Sequence, residues 1–231
     1  MTHSIPLPSH HPSNDLLCAY ASGSLDQPVR LLIATHLGFC RKCQRLVRGV
    51  EELAGSVFAA ATTETVSDSL LNDCLTKISR LGTPVVQNTR EKTSATSVLS
   101  TQAYDKDIPL PLKSKLPDKL EALPWHKLLN KNVREYRLGY EDGWRYGLIH
   151  MKAKEKLPRH SHRGIEATLV LRGQFMDEEG LYQPGDFVMC DQTNTHQPHI
   201  GSDDCLCLYA LNAPLQFKGA LMCFVNPFLR I

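Results

Sequence analysis

A chain of 231 residues with 42% apolar side chains can build one large packed domain or two small ones, which excludes a disordered or fibrous protein. A formal charge of +2 offers no concentrated basic surface, so general nucleic-acid affinity is excluded and any control of transcription would run through a protein partner. No apolar run approaches the roughly 20 residues of a membrane span, and Met1-Thr2-His3-Ser4-Ile5-Pro6 lacks a basic start before an apolar stretch, so the expectation is a cytoplasmic chain.

In chain order, Asn14 and Asp15 predict the cap of a short helix through Ala21, ended by Gly23-Ser24. Asp26 predicts the start of a second helix, with Pro28 where proline is tolerated and Val29, Leu31, Leu32, Ile33, Leu37 and Phe39 as its apolar set. A third helix is expected from Arg41 to Ala60 and a fourth from Thr65 to Ile78, each with apolar residues at helical spacing. The first three pack most simply as a small bundle. Residues 80–106, rich in Thr, Ser, Asn and Gln, read as a linker. Beyond them, short apolar runs at 147–151, 167–171, 187–190, 205–209 and 221–225 alternate with turns such as Gln183-Pro184-Gly185-Asp186, the pattern of a β-sandwich or barrel. Leu116, Leu120 and Leu123 have helical spacing, but Pro117 opposes a full helix there. The expected domains are an N-terminal all-α unit over residues 1–95, with the linker to about 106, and an all-β unit over 107–231.

The eight cysteines of a reducing compartment read as metal ligands, redox groups or core residues. The first constellation is His36-x3-Cys40-x2-Cys43, whose positions i, i+4 and i+7 share one helix face. Two thiolates and an imidazole suit tetrahedral zinc, and His3, His10 and His11 are all available as a fourth ligand. The bland alternative is a core histidine beside two buried thiols. Together, His11-Pro12-Ser13-Asn14-Asp15-Leu16-Leu17 and Ala34-Thr35-His36-x3-Cys40-x2-Cys43 resemble the zinc-binding anti-sigma domain of the ChrR family. The resemblance implies one zinc held by His11, His36, Cys40 and Cys43, with Leu16-Leu17 fixing the register and His10 the nearest competitor. It also implies a partner, an extracytoplasmic-function sigma factor, sequestered by the helical domain.

The second constellation is His160-x-His162-x3-Glu166-x6-Gly173. On a strand, His160 and His162 face one side, and Glu166 returns to that side after a bend at Gly164. The pattern resembles the first motif of the cupins, and Pro184-Gly185-Asp186 followed by His196 resembles the second. That resemblance implies a double-stranded β-helix, or jelly roll, with a metal on His160, His162, Glu166 and His196; His199 lies close to the last of these. Lys154 stands where the motif often has Gly, and Asp191, Thr193 and Ile200 depart from the second motif. Such a ligand set suits Zn, Mn, Fe or Ni. The ChrR family carries this second domain too, so the resemblance spans nearly the whole chain.

Cys205 and Cys207 share a strand face, but a disulfide across one residue is strained, so both are expected to be core thiols. Cys18, Cys74, Cys190 and Cys223 are expected in the core as well. The resemblance favours an anti-sigma factor, not an enzyme, whose cupin senses singlet oxygen or organic peroxide. A cupin dioxygenase or hydrolase with a helical appendage is the alternative, and a zinc-dependent DNA binder is opposed by the near-neutral charge.

Overall fold

The computed structural model describes residues 7–81, 108–117 and 119–218. His3, most of the expected linker, the run 221–225 and Cys223 lie outside these residues. The chain divides into two compact units, one of residues 1–52 with 103–231 and the other of residues 53–102. Helices α1 (Asn14–Ala21), α2 (Gln27–Leu37), α3 (Arg41–Ala59) and α4 (Asp68–Arg80) follow the expected order, and the division falls within α3. The caps differ in detail. Ser13, one residue before the expected Asn14, accepts from the Leu16 N–H at 3.2 Å and so satisfies one of the first-turn donors. Ser67 does the same for α4. Asp26 stands at the start of α2, but its carboxylate accepts from the Trp144 indole at 2.8 Å and does not cap the helix with its side chain.

In the larger unit, α2 lies against α1. It packs on α5 (Leu110–Lys113) and on strands β3 (Trp144–Met151), β5 (Glu166–Arg172) and β11 (Cys205–Leu211). This explains why it is buried on more than one side, with Val29, Leu32, Ile33, Thr35 and His36 almost fully covered. A 3-10 turn, Leu120–Ala122, takes the place of the helix that Pro117 opposed.

Among the described residues the strands form three sheets. With β1 (His126–Lys127), β2 (Val133–Glu141) and β8 (Phe187–Cys190), the largest runs β1-β2-β3-β11-β5-β8. A second is β10-β6-β7, from His199–Ile200, Phe175–Asp177 and Gly180–Tyr182, and a third is β12-β4-β9, from Leu215–Phe217, His160–His162 and Thr195–His196. The pairs inside the large sheet are antiparallel, and its register sorts side chains by parity. Leu148, Leu208, Leu169 and Phe187 face the core shared with the helices. Met151, Cys205, Cys207 and Val170 face a second core closed by Phe175, Tyr182 and Ile200. Strand β11 is buried along its whole length, so its sequence is a continuous apolar run without alternation.

The smaller unit stands in contrast. On the last turns of α3, Leu53, Val57 and Phe58 are exposed, and on α4 so are Leu70, Leu71, Leu75 and Ile78. These helices present apolar faces at helical spacing to solvent. Cys18 and Cys74, expected in the core, are exposed, because α1 buries Leu17 instead and α4 has no side buried in the core. No helix among the described residues is long and apolar enough to cross a membrane.

Two candidate metal centres

At the N-terminal centre, His36, near the end of α2, and Cys43, on the first turn of α3, are joined by the tight turn through Gly38, and Cys40 lies between them. Their ligand atoms and that of His11 lie within 4.8 Å of one another. His36 Nε2 is 3.3 Å from the Cys43 sulfur, and His11 Nδ1 is 3.5 and 3.6 Å from those of Cys40 and Cys43. A tetrahedral ion with zinc–nitrogen and zinc–sulfur bonds of ordinary length separates such atoms by about 3.6 Å. The donor set and its spacing therefore fit a closed zinc site.

His10, the neighbour in sequence, turns away. Its ring lies on Tyr182 and beside Asp186. The arm is fixed by the fully buried Asp186 carboxylate, which accepts from the backbone N–H of Ser9 at 2.6 Å and of His10 at 2.9 Å. The Phe187 N–H then donates to the His10 carbonyl. The same turn reaches the metal cluster, because His36 Nδ1–H donates to the Gly185 carbonyl at 2.7 Å. This bond leaves Nε2 as the lone pair aimed at the thiols. Gly185 has φ +91°, and a Cβ there would stand 2.7 Å from carbons of Phe39 and Pro8, so only glycine admits the approach. Burial lowers the pKa of both His36 and His11, favouring the neutral, coordinating form. Burial and the Cys40 bond push the Cys43 thiol up to about 12, so a metal must displace its proton.

At the second centre, β4 carries His160 and His162, β5 opens with Glu166, and β9 brings His196 opposite His160. The two-residue spacing and the bend at Gly164 do what parity predicts, and the four ligand atoms again lie within 4.8 Å. His199, on β10, pairs with Met176 of β6 and is not in the cluster. Each ring is held from behind. Nδ1–H of His160 donates to the Pro158 carbonyl at 2.8 Å, that of His162 to the Asp191 carbonyl at 3.3 Å, and that of His196 to the Asp177 carboxylate at 2.9 Å. With Nδ1 donating in all three, every Nε2 faces inward, where an ion would meet its lone pair.

His160 Nε2 and His196 Nε2 are 3.0 Å apart, and His162 Nε2 is 2.9 Å from Glu166 Oε2. Ligands at right angles on bonds of about 2.1 Å subtend about 3.0 Å, whereas a tetrahedron opens this to about 3.4 Å. Both separations are short enough for one ion to be shared, and three nitrogens with one carboxylate suit a divalent transition metal. Burial lowers the pKa of His160. Burial opposes charge on His162 as well, but its bond to Glu166 prevails and raises its pKa. Burial works against the Glu166 anion too, yet the His162 bond and the facing imidazoles hold its pKa at about 2. The cluster offers one fixed negative charge and three nitrogen donors.

Sequence reasoning missed the groups that orient these ligands, namely Gly185, Asp186, Asp177 and the carbonyls of Pro158 and Asp191. The turn Pro184-Gly185-Asp186 was visible as a turn, but nothing in its letters points to His36. Cys205 and Cys207 are buried with sulfurs 3.6 Å apart, as two neighbouring thiols of the inner face.

A family model described as the ChrR cupin-like domain matches residues 117–215. The anti-sigma-E factor ChrR of Cereibacter sphaeroides is 32% identical over 223 residues, 96% of this chain and 98% of that protein. A crystal structure of Rhodobacter sphaeroides SigE in complex with the anti-sigma ChrR matches with a TM-score of 0.71 and 29% identity, covering 88% of this chain and 99% of that one. With kinship running nearly end to end in both sequences and a β domain of the matching kind, this chain belongs to the ChrR family.

Proposed function

We propose that this protein is an anti-sigma factor, a regulator and not an enzyme, that sequesters an extracytoplasmic-function sigma factor in the cytoplasm. The observation that carries the reading is the near full-length kinship with an anti-sigma-E factor, a protein of the same name being crystallised on SigE. The exposed apolar faces of α3 and α4 support it, because Leu53, Val57, Leu71 and Leu75 are a surface that a folded partner would cover. Zinc on His11, His36, Cys40 and Cys43 holds the start of α3 to α2 and to the N-terminal arm. A divalent transition metal, zinc or another, on His160, His162, Glu166 and His196 makes the cupin the sensor, and singlet oxygen or organic peroxide is the stimulus that releases the sigma factor.

The test is co-purification with the sigma factor of the native host, followed by substitution of the exposed face. Leu71→Asp and Leu75→Asp should weaken the complex by about tenfold or more each, as loss of an interface anchor does, while leaving thermal stability unchanged because both side chains are exposed. A full chain that captures no sigma factor, or face variants that bind as well as the parent, would sink the proposal.

A further inference from the structure

One segment, residues 185–191, runs from the first candidate centre to the second. It comprises the end of the turn before β8, the strand itself and Asp191. Its backbone holds a ligand imidazole at each end. The Gly185 carbonyl accepts from His36 Nδ1–H at 2.7 Å, and the Asp191 carbonyl accepts from His162 Nδ1–H at 3.3 Å. Near its start it also fastens the arm that carries His11, through the Asp186 carboxylate and through the Phe187 N–H, which donates to the His10 carbonyl at 3.1 Å. At ~3.3 Å per residue, six steps of extended chain span at most about 20 Å.

The side chains repeat this pattern. Phe187 faces the helices, its ring centroid 6.5 Å from that of His36. Val188 and Cys190 face the other way, into the wall of a cavity that His160, Glu166 and His196 also line. The strand is also tied along its length to β5. There Cys190 is in register with Glu166, a candidate ligand, and Phe187 with Leu169. Two further bonds, from the Gly185 N–H to the Val170 carbonyl at 2.8 Å and from the Val170 N–H to the Asp186 carbonyl at 3.0 Å, continue the ladder into the turn. A displacement of Asp191 therefore pulls on a continuous pairing that ends at the carbonyl behind His36. The other rings of the second centre lean elsewhere, His160 on Pro158 and His196 on Asp177, so their loss leaves the ties of β8 in place.

We propose that residues 185–191 couple the two centres, so that an ion on the second tightens zinc on the first. An ion that fixes His162 and Glu166 also fixes the Asp191 carbonyl and the Cys190 end of the ladder. The strand is then already ordered when zinc needs Gly185 and the arm in place, so the second binding event costs less, and linkage makes the effect reciprocal. The proposal rests on the metal reading of both centres and is independent of the sigma-factor reading. It gives the sensing role proposed above a physical route to the start of α3.

The test uses cobalt(II) and the full chain. A thiolate–cobalt charge-transfer band reports the first centre alone, because the second has no sulfur ligand. Chelator competition on that band gives the first-centre affinity, and metal content of the same samples gives the loading of the second. His160→Ala, His196→Ala and the two combined remove ligands from the second centre and leave β8 untouched. With the second centre empty, cobalt at the first should bind at least about fivefold more weakly, the low end of typical couplings between sites. A loss of that size still leaves a structural zinc site filled, so it does not by itself release a partner. The same comparison in Met189→Gly or Val188→Gly chains, which keep every ligand but loosen β8, should shrink the difference below about twofold. Circular dichroism identifies the folded variants, and one folded glycine chain decides. Equal first-centre affinity with the second centre loaded and empty would overturn the proposal. So would a difference that persists in a folded glycine chain, since the route would then lie outside β8. A parent chain that takes up only a single cobalt would strike the metal reading itself, and the coupling with it.

Discussion

At the scale of single residues, each centre depends on hydrogen bonds made behind its ligands. Asp177 is the clearest case, a nearly buried carboxylate whose only role toward the centre is to hold the His196 ring. Removing such a partner typically costs 10- to 100-fold in metal affinity, because the ring loses both its tautomer and its orientation. Asp177→Ala should therefore weaken metal binding at the second centre by about that factor in a chelator competition and leave the first centre unchanged. A loss confined to the first centre, or none at all, would contradict this account of His196. Gly185 is the counterpart at the N-terminal centre. Gly185→Ala must force a left-handed backbone on a side chain and push against Phe39 and Pro8, a strain of about 1–3 kcal/mol. It should lower the midpoint of urea unfolding and weaken zinc, since the carbonyl that orients His36 belongs to the same residue.

At the scale of elements, the turn between β7 and β8 acts as a fastening for the N-terminal arm. The Asp186 carboxylate, with no exposure, receives the N–H groups of Ser9, His10 and Gln183. Asp186→Ala leaves those donors without a partner, at about 1–3 kcal/mol for each one that stays buried. The expected result is a lowered unfolding midpoint together with faster proteolysis of the first dozen residues; a parent-like proteolysis rate would mean that the arm is held by something else. Much of this level was legible in the letters. Four helices fell where periodicity put them, since α2, α3 and α4 carry apolar residues three and four apart, and His160 and His162 shared a strand face by parity alone. The cap of α1 lies one residue before the expected Asn14 because Ser13 and Asn14 are both good capping types. The packing of α2 on the sheet was not legible, because the same apolar stripe can meet helices or a sheet, and sequence does not say which. The fastening role of Asp186 escaped notice because two of its partners are backbone N–H groups 176 and 177 positions away, which no local pattern encodes.

At the scale of the whole molecule, the two centres differ in kind, and so should the results of disabling them. On the proposed reading the first is closed, its four candidate ligands tying the arm, α2 and α3 together, and the helices around it have little core of their own beyond what α2 shares with the sheet. A closed site of this type contributes directly to folding, because the unfolded chain has no preformed cluster. Cys40→Ser or Cys43→Ser should lose zinc, loosen the start of α3 and release the sigma factor without any stimulus. The second candidate centre sits in a β domain whose large sheet buries both faces around it. That domain should fold without its ion, so on the proposed sensing role His160→Ala or His162→Ala should keep the sigma factor bound and abolish release by oxidant. A reporter driven by the sigma factor separates the two classes, the cysteine variants being on at all times and the histidine variants never induced. Cysteine variants that still repress, or histidine variants that are on without oxidant, would show that the first centre is not the clasp and the second not the trigger.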